Sequence, residues 1–162
     1  MELSEFKRAY NARIREMGAQ ARAECLGVIE KADYSGPEGA AGKARLLSVR
    51  TQGIGIIHIE GAVKGCIVHA PLEKGKAVDG LIVYSACIDV LMGTNEKQRN
   101  ELLDRLHLFD GKLTGRGSNR TVRGWTLEVR PGDPAQGRIS FAVIDGKPPD
   151  LPGLEDQTTK TA

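Results

Sequence analysis

The chain has 162 residues and a mass of 17.5 kDa, which accommodates one domain with one core and excludes a second full domain. Hydrophobic residues make up 40% of it but aromatic residues only 4%, so we expect a core built mainly from Ile, Leu, Val and Ala. The 23 basic and 21 acidic residues leave a charge of +2 and a pI near 8.5, too mild for a dedicated nucleic-acid binder, whose pI usually exceeds about 9.

Residues 1–31 form the first predicted element, a long amphipathic helix, because apolar residues recur there every three or four positions. At 1.5 Å per residue this helix would extend roughly 40 Å, longer than one small core is wide. Part of its apolar stripe would then contact a second chain, and the candidate contacts are Leu3, Phe6 and Tyr10. The alternative is a helix that lies wholly on its own sheet.

Residues 32–43 are rich in glycine and predict a hinge, after which residues 44–145 are expected to form an α+β core. Short runs rich in Val and Ile, separated by Gly or Pro, predict an antiparallel meander. These runs span 44–50, 53–60, 64–70 and 77–84. A buried helical turn over 85–92 and a second helix over 95–107, capped by Thr94, are expected to follow.

Alternating apolar residues predict two more strands, over 121–130 and 138–145. The fold class is therefore α+β, with a long N-terminal helix followed by a mainly antiparallel sheet of about six strands and one helical insertion. Residues 146–162 contain three prolines and few apolar side chains, which predicts an extended tail. Leu151 and Leu154 are its candidate contacts with neighbouring subunits.

The most informative segment runs from Gly111 to Gly124 and contains four basic residues without an acidic one. These are Lys112, Arg116, Arg120 and Arg123. Guanidinium groups bind anions through paired hydrogen bonds, and glycine allows backbone N–H groups to approach an anion closely. We expect this loop to bind carboxylate or phosphate, and the near-neutral remainder of the chain favours one acidic neighbour over coating of nucleic acid.

Catalytic and cofactor chemistry finds weaker support. The glycines between residues 36 and 43 lack phosphate-loop spacing, and no cofactor or metal is expected. A hairpin turning at residues 61–63 would place His58 opposite Cys66, which allows a thiolate–imidazole pair, with His69 on the other face. No orienting third residue is identifiable near that pair, so we assign no catalytic residues.

The N-terminal residues lack the apolar core of a secretory signal, and no window approaches the roughly 20 apolar residues of a membrane span. Three widely spaced cysteines argue against a disulfide framework. We expect a location in the cytoplasm, or in a particle assembled there, and no membrane partner.

The predicted function is that of a non-catalytic structural subunit in a larger, homo-oligomeric assembly, with copies of itself or other subunits as partners. A component of a phage or virus particle would fit these features by analogy. Two alternatives stay open: a nucleic-acid accessory protein that binds phosphate through residues 111–124, and an enzyme that depends on Cys66 and His58.

Overall fold

The computed structural model describes residues 1–20, 44–49, 54–59, 62–71, 76–108, 117–131 and 137–146. Within these ranges the chain forms three helices and six strands, which confirms the predicted α+β class. The helices are α1 (Leu3–Gln20), α2 (Lys76–Met92) and α3 (Glu96–Arg105). The strands are β1 (Ala44–Val49), β2 (Ile54–Ile59), β3 (Ala62–Pro71), β4 (Ser118–Val122), β5 (Trp125–Arg130) and β6 (Arg138–Asp145). Two predicted segments lie outside the described ranges: residues 21–43, with the end of the predicted helix and the predicted hinge, and residues 147–162 of the predicted tail.

The strands form one antiparallel sheet in the order β1-β2-β3-β6-β5-β4. It consists of two three-stranded meanders that meet where β3 pairs with β6. Helices α2 and α3 follow β3 in the chain and precede β4, so the predicted helical insertion contains two helices. This insertion separates the two meanders in sequence, whereas the sheet joins them in space.

Two predicted elements are wrong. Residues 77–84 belong to helix α2 and not to a strand, because Gly80, Tyr84 and Cys87 are buried at helical spacing over a longer stretch than the β-branched run suggested. Residues 121–130 do not form one strand: β4 and β5 are joined by a turn at Arg123 and Gly124. The sheet still has six strands because these two errors compensate, and five of the six predicted regions contain strand.

Helices α1 and α2 pack against one face of the sheet. Phe6 and Tyr10 are fully buried in the core of their own chain, and their rings stack at 5.8 Å. Tyr84 on α2 stacks on Phe141 of β6 at 5.1 Å, and its hydroxyl donates a hydrogen bond to the carbonyl of Ala142. The described part of the N-terminal helix therefore lies on its own sheet, which leaves Phe6 and Tyr10 no surface for a second chain. Leu3 is half-buried against the same core.

The sheet is also apolar at the centre of its other face. Ile57, Ile67, Ala142 and Ile144 occupy that face by strand register, and each is buried. Farther along β3 and β6 the face becomes polar, where His69 Nδ1 and Ser140 Oγ lie 2.9 Å apart across the strand pair. None of the described helices is long and apolar enough to cross a lipid bilayer.

Candidate functional site

Helix α3 begins with a complete capping box. The Asn95 side chain accepts a hydrogen bond from the backbone N–H of Gln98 at 2.8 Å, and the Gln98 side chain accepts one from the Asn95 N–H at 3.0 Å. The cap is thus one residue later than the predicted Thr94. The Thr94 hydroxyl instead donates to Asp89 Oδ1 at 2.8 Å, which links the start of α3 to the end of α2.

A buried carboxylate connects the three helices. Asp89 Oδ2 accepts from Arg13 Nε of α1 at 2.9 Å and from Arg99 Nη1 of α3 at 3.1 Å. The Asp89 side chain is 3% exposed and that of Arg99 is 6% exposed. Burial alone would lower the pKa of Arg13, but its hydrogen bond to Asp89 and the Asp89 charge outweigh burial and raise that pKa. This cluster of Arg13, Asp89 and Arg99 holds α3 in place.

Strand β4 approaches the C-terminal end of α3, where helix carbonyl groups lack helical partners. The Ser118 hydroxyl donates to the carbonyl of Leu106, and Arg120 Nε lies 3.4 Å from the carbonyl oxygen of Arg105. Helix α3 ends at Arg105, and His107 then takes a left-handed conformation with φ of 62°. These contacts place the β4–β5 hairpin beside the basic end of the helix.

Three exposed arginines meet at this junction, and we call them the arginine cluster: Arg105, Arg120 and Arg123. Arg105 and Arg123 line a cleft of about 130 Å³ between α3 and the hairpin. The cleft is also lined by apolar side chains and by one carboxylate, that of Glu101. Two guanidinium groups and one carboxylate line the described part of the cleft, and Arg120 adds a third guanidinium group beside the Arg105 carbonyl; this positive charge suits an anionic ligand.

The turn that carries Arg123 has an unusual residue for its geometry. Arg123 has φ of 52° and Gly124 has φ of 82°, so both central residues of this two-residue hairpin are left-handed. Such turns favour Asn or Gly, and a side chain as long as that of Arg is uncommon there. Strained conformations of this kind are concentrated at functional sites, so an arginine in this conformation indicates a functional position.

The structure thus brings together two of the four basic residues predicted to bind an anion, Arg120 and Arg123. The other two, Lys112 and Arg116, lie outside the described residues, as do the tail positions Leu151 and Leu154. Arg105 is an addition, because no pattern in the sequence indicates that the end of α3 lies beside the hairpin. Only the fold makes it a neighbour of Arg123.

The predicted pairing of His58 with Cys66 is wrong. The β2–β3 register places Ile56 opposite Cys66, and a register shift after Ile57 pairs His58 with Val63. Cys66 is fully buried, and burial, followed by a hydrogen bond with Cys87, raises the pKa of its thiol. The thiol is therefore held in the protonated, weakly nucleophilic form.

Within the described ranges, no three His, Cys, Asp or Glu side chains form a group that could hold a metal ion. Comparisons of the whole chain with protein-family models, with curated proteins and with solved structures find no match. Among the described residues, the arginine cluster is the feature with the clearest chemistry.

Proposed function

We propose that this chain is a non-catalytic interaction subunit of a larger, homo-oligomeric assembly and that the arginine cluster docks it to acidic side chains. The observation that carries the proposal is the convergence of Arg105, Arg120 and Arg123, which come from separate elements, at one exposed junction. Guanidinium groups bind carboxylates through two parallel hydrogen bonds, so a cluster of three selects an acidic surface by both charge and geometry.

The exposure of the arginines limits the affinity that they supply. An exposed ion pair stabilises a complex by about 0–1 kcal/mol, and salt screens it. Three such contacts are too weak for a permanent complex on their own, but they contribute orientation and partner selection to a larger contact surface. The proposed docking should therefore depend on ionic strength.

The test measures native mass by sedimentation over a range of protein concentrations at low and at high salt. We expect the wild-type mass to rise with concentration and to fall with salt. Replacing all three arginines of the cluster by alanine should abolish the rise. The matched control removes three exposed arginines elsewhere, Arg8, Arg15 and Arg138, and should retain it. A wild-type protein that stays monomeric under all these conditions would refute homo-assembly.

The same cluster supports a second candidate, a nucleic-acid accessory protein that contacts phosphate groups without reading bases. Arginine binds phosphate as well as carboxylate, and the strength of such binding falls steeply with salt. A labelled single-stranded or double-stranded oligonucleotide of arbitrary sequence tests this at low salt. Binding that the alanine variant of the cluster loses, and the control variant keeps, would favour the nucleic-acid function. No binding at low salt would end that candidate.

A further inference from the structure

We infer that a short acidic stretch near the C-terminus docks into the cleft that Arg105 and Arg123 line on the same molecule. This stretch is residues 154–156, which read Leu-Glu-Asp and which we call the acidic segment. It belongs to residues 147–162, which follow the described part of the chain. The inference goes beyond the proposed function, because it concerns a contact within one chain. It names an occupant of the arginine cluster that an acidic neighbour would have to displace.

The last described residue, Gly146, lies beside the hairpin turn that carries Arg123. The backbone N–H of Gly146 donates a hydrogen bond to the carbonyl of Gly124 at 2.7 Å. The Thr126 hydroxyl donates to the Gly146 carbonyl at 2.9 Å. Gly124 directly follows Arg123, so these two bonds start the C-terminal residues next to one of the two arginines of the cleft.

The described walls of the cleft combine apolar surface with positive charge. Met92, Leu102 and Val122 pack against the core but are only partly buried, so each leaves apolar surface in the cleft. Arg105 and Arg123 line the same cleft and are exposed. Its volume of about 130 Å³ suits one side chain of leucine size and not a helix or a strand. A fitting ligand therefore carries an apolar side chain next to carboxylates.

The acidic segment has this chemistry. Glu155 and Asp156 are the only two adjacent acidic residues in the 162-residue sequence, and Leu154 directly precedes them. The leucine side chain matches the apolar surface of the cleft, and each carboxylate can accept two parallel hydrogen bonds from a guanidinium group. The segment therefore complements the cleft in both polarity and charge.

The length of the intervening chain favours a contact within one molecule. Nine residues lead from Gly146 to Glu155, and they extend at most about 30 Å. Pro152 and Gly153 occupy the two central positions of Leu-Pro-Gly-Leu, which is the pattern of a type II turn and predicts that the chain reverses there. A tether this short gives the segment a local concentration in the millimolar range at its own cleft, so a second copy competes poorly in dilute solution.

A glutamate-specific endoprotease tests this contact, because it cleaves after Glu155, inside the acidic segment. The measured quantity is the initial rate at which residues 156–162 are released from the full chain, followed by mass spectrometry. This rate is divided by that of a free peptide of residues 147–162. Cleavage follows the population of the undocked segment, so we expect release from the wild-type chain to be at least about threefold slower than from the peptide. High salt should reduce this difference.

Two variants change the cleft in opposite directions. Arg105→Ala/Arg123→Ala removes both guanidinium groups and should raise the release rate to that of the peptide. Glu101→Gln removes a lining carboxylate that repels the acidic segment, so it should slow release further. Arg8→Ala/Arg15→Ala removes two exposed arginines of α1 and is the matched control, with release expected at the wild-type rate. Urea unfolding shows whether each variant keeps the wild-type fold.

Dilution identifies the molecule that supplies the segment. Slow release that persists over about a hundredfold dilution, and that Arg105→Ala/Arg123→Ala loses, would establish the contact within one chain. Slow release that dilution abolishes would assign the segment to a second copy, which overturns this inference and leaves homo-assembly standing. Release from the wild-type chain as fast as from the peptide would also overturn it. A wild-type chain that sediments as a monomer would overturn the proposed function alone, because release is measured on single molecules.

Discussion

Asp89→Ala is expected to destabilise the protein strongly, because Asp89 is the shared carboxylate of α1, α2 and α3. Its two guanidinium partners differ in their access to water. The side chain of Arg13 is 22% exposed and also bonds Glu16, so it can turn toward solvent when the carboxylate is lost. The side chain of Arg99 is 6% exposed and would remain as a buried charge without its counter-ion.

The uncompensated charge of Arg99 determines how much unfolding free energy Asp89→Ala loses. Removing one partner of a buried ion pair costs about 3–5 kcal/mol. We expect the lower end of that range, because Arg99 Nε keeps its hydrogen bond to Asn100 Oδ1. A loss of about 3 kcal/mol in a chain of this size corresponds to a fall of roughly 6–12 °C in Tm. Adding Arg99→Met removes the stranded charge, so the double variant should be more stable than Asp89→Ala alone.

The assay is urea unfolding followed by the fluorescence of Trp125, the single tryptophan, which packs against the core. Asp104→Ala serves as the control, because Asp104 is an exposed aspartate on α3 and its loss should change the unfolding free energy by less than about 0.5 kcal/mol. A loss of less than about 1 kcal/mol in Asp89→Ala, or no recovery when Arg99→Met is added to it, would contradict a stranded buried charge on Arg99.

Gly80→Ala should cost about 1–3 kcal/mol of unfolding free energy, because a Cβ at Gly80 would overlap the Cβ of Ala70; adding Ala70→Gly should recover most of this loss in urea titrations. Burial, and to a lesser extent Arg138, lowers the pKa of His69, so the unfolded chain binds this proton first and stability falls as pH drops below about 6.5 toward the folded pKa. Arg138→Ala should therefore raise the His69 pKa in an NMR titration, and an unchanged value would contradict this assignment. Arg123→Asn should stabilise the hairpin by about 0.5–1 kcal/mol and should weaken salt-sensitive self-association. A variant that is less stable than wild type would argue against strain at Arg123, and unchanged self-association would argue against a binding role for it.

The prediction of strand β6, at the centre of the sheet, is confirmed because its local signals agree with the tertiary structure. Residues 138–145 were predicted as a strand and form β6 with the same bounds, since apolar residues alternate there between flanking turns. The prediction of a strand over residues 77–84 is wrong because β-branched residues in this run favour strand locally, whereas packing on β3 selects a helix. In this helix Gly80 lies close against Ala70 of β3, a long-range contact that local propensity does not reflect.

The candidate site was predictable only in part. A run of basic residues without acidic ones identified Arg120 and Arg123, because that signal is local. The contribution of Arg105 depends on β4 meeting the end of α3, a contact made by the Ser118 hydroxyl with a carbonyl twelve residues earlier in the chain. The strained turn at Arg123 was also missed, because the sequence analysis predicts a basic loop that ends at Gly124 and one strand over residues 121–130, without a two-residue hairpin at Arg123 and Gly124.

The buried cluster around Asp89 and the arginine cluster are physically linked through α3. A helix of ten residues is too short to be stable by itself in water, and among its ten residues only Arg99 and Leu103 are buried. One of these two anchors is a charge, so the position of α3 depends on an ion pair that must be made in one geometry. An apolar anchor would tolerate rotation of the helix about its axis, which would move Arg105 away from Arg123 across the cleft that they share. We therefore expect Asp89→Ala/Arg99→Met to regain stability without regaining the self-association proposed for the arginine cluster, and full recovery of both would show that the buried pair does not orient Arg105.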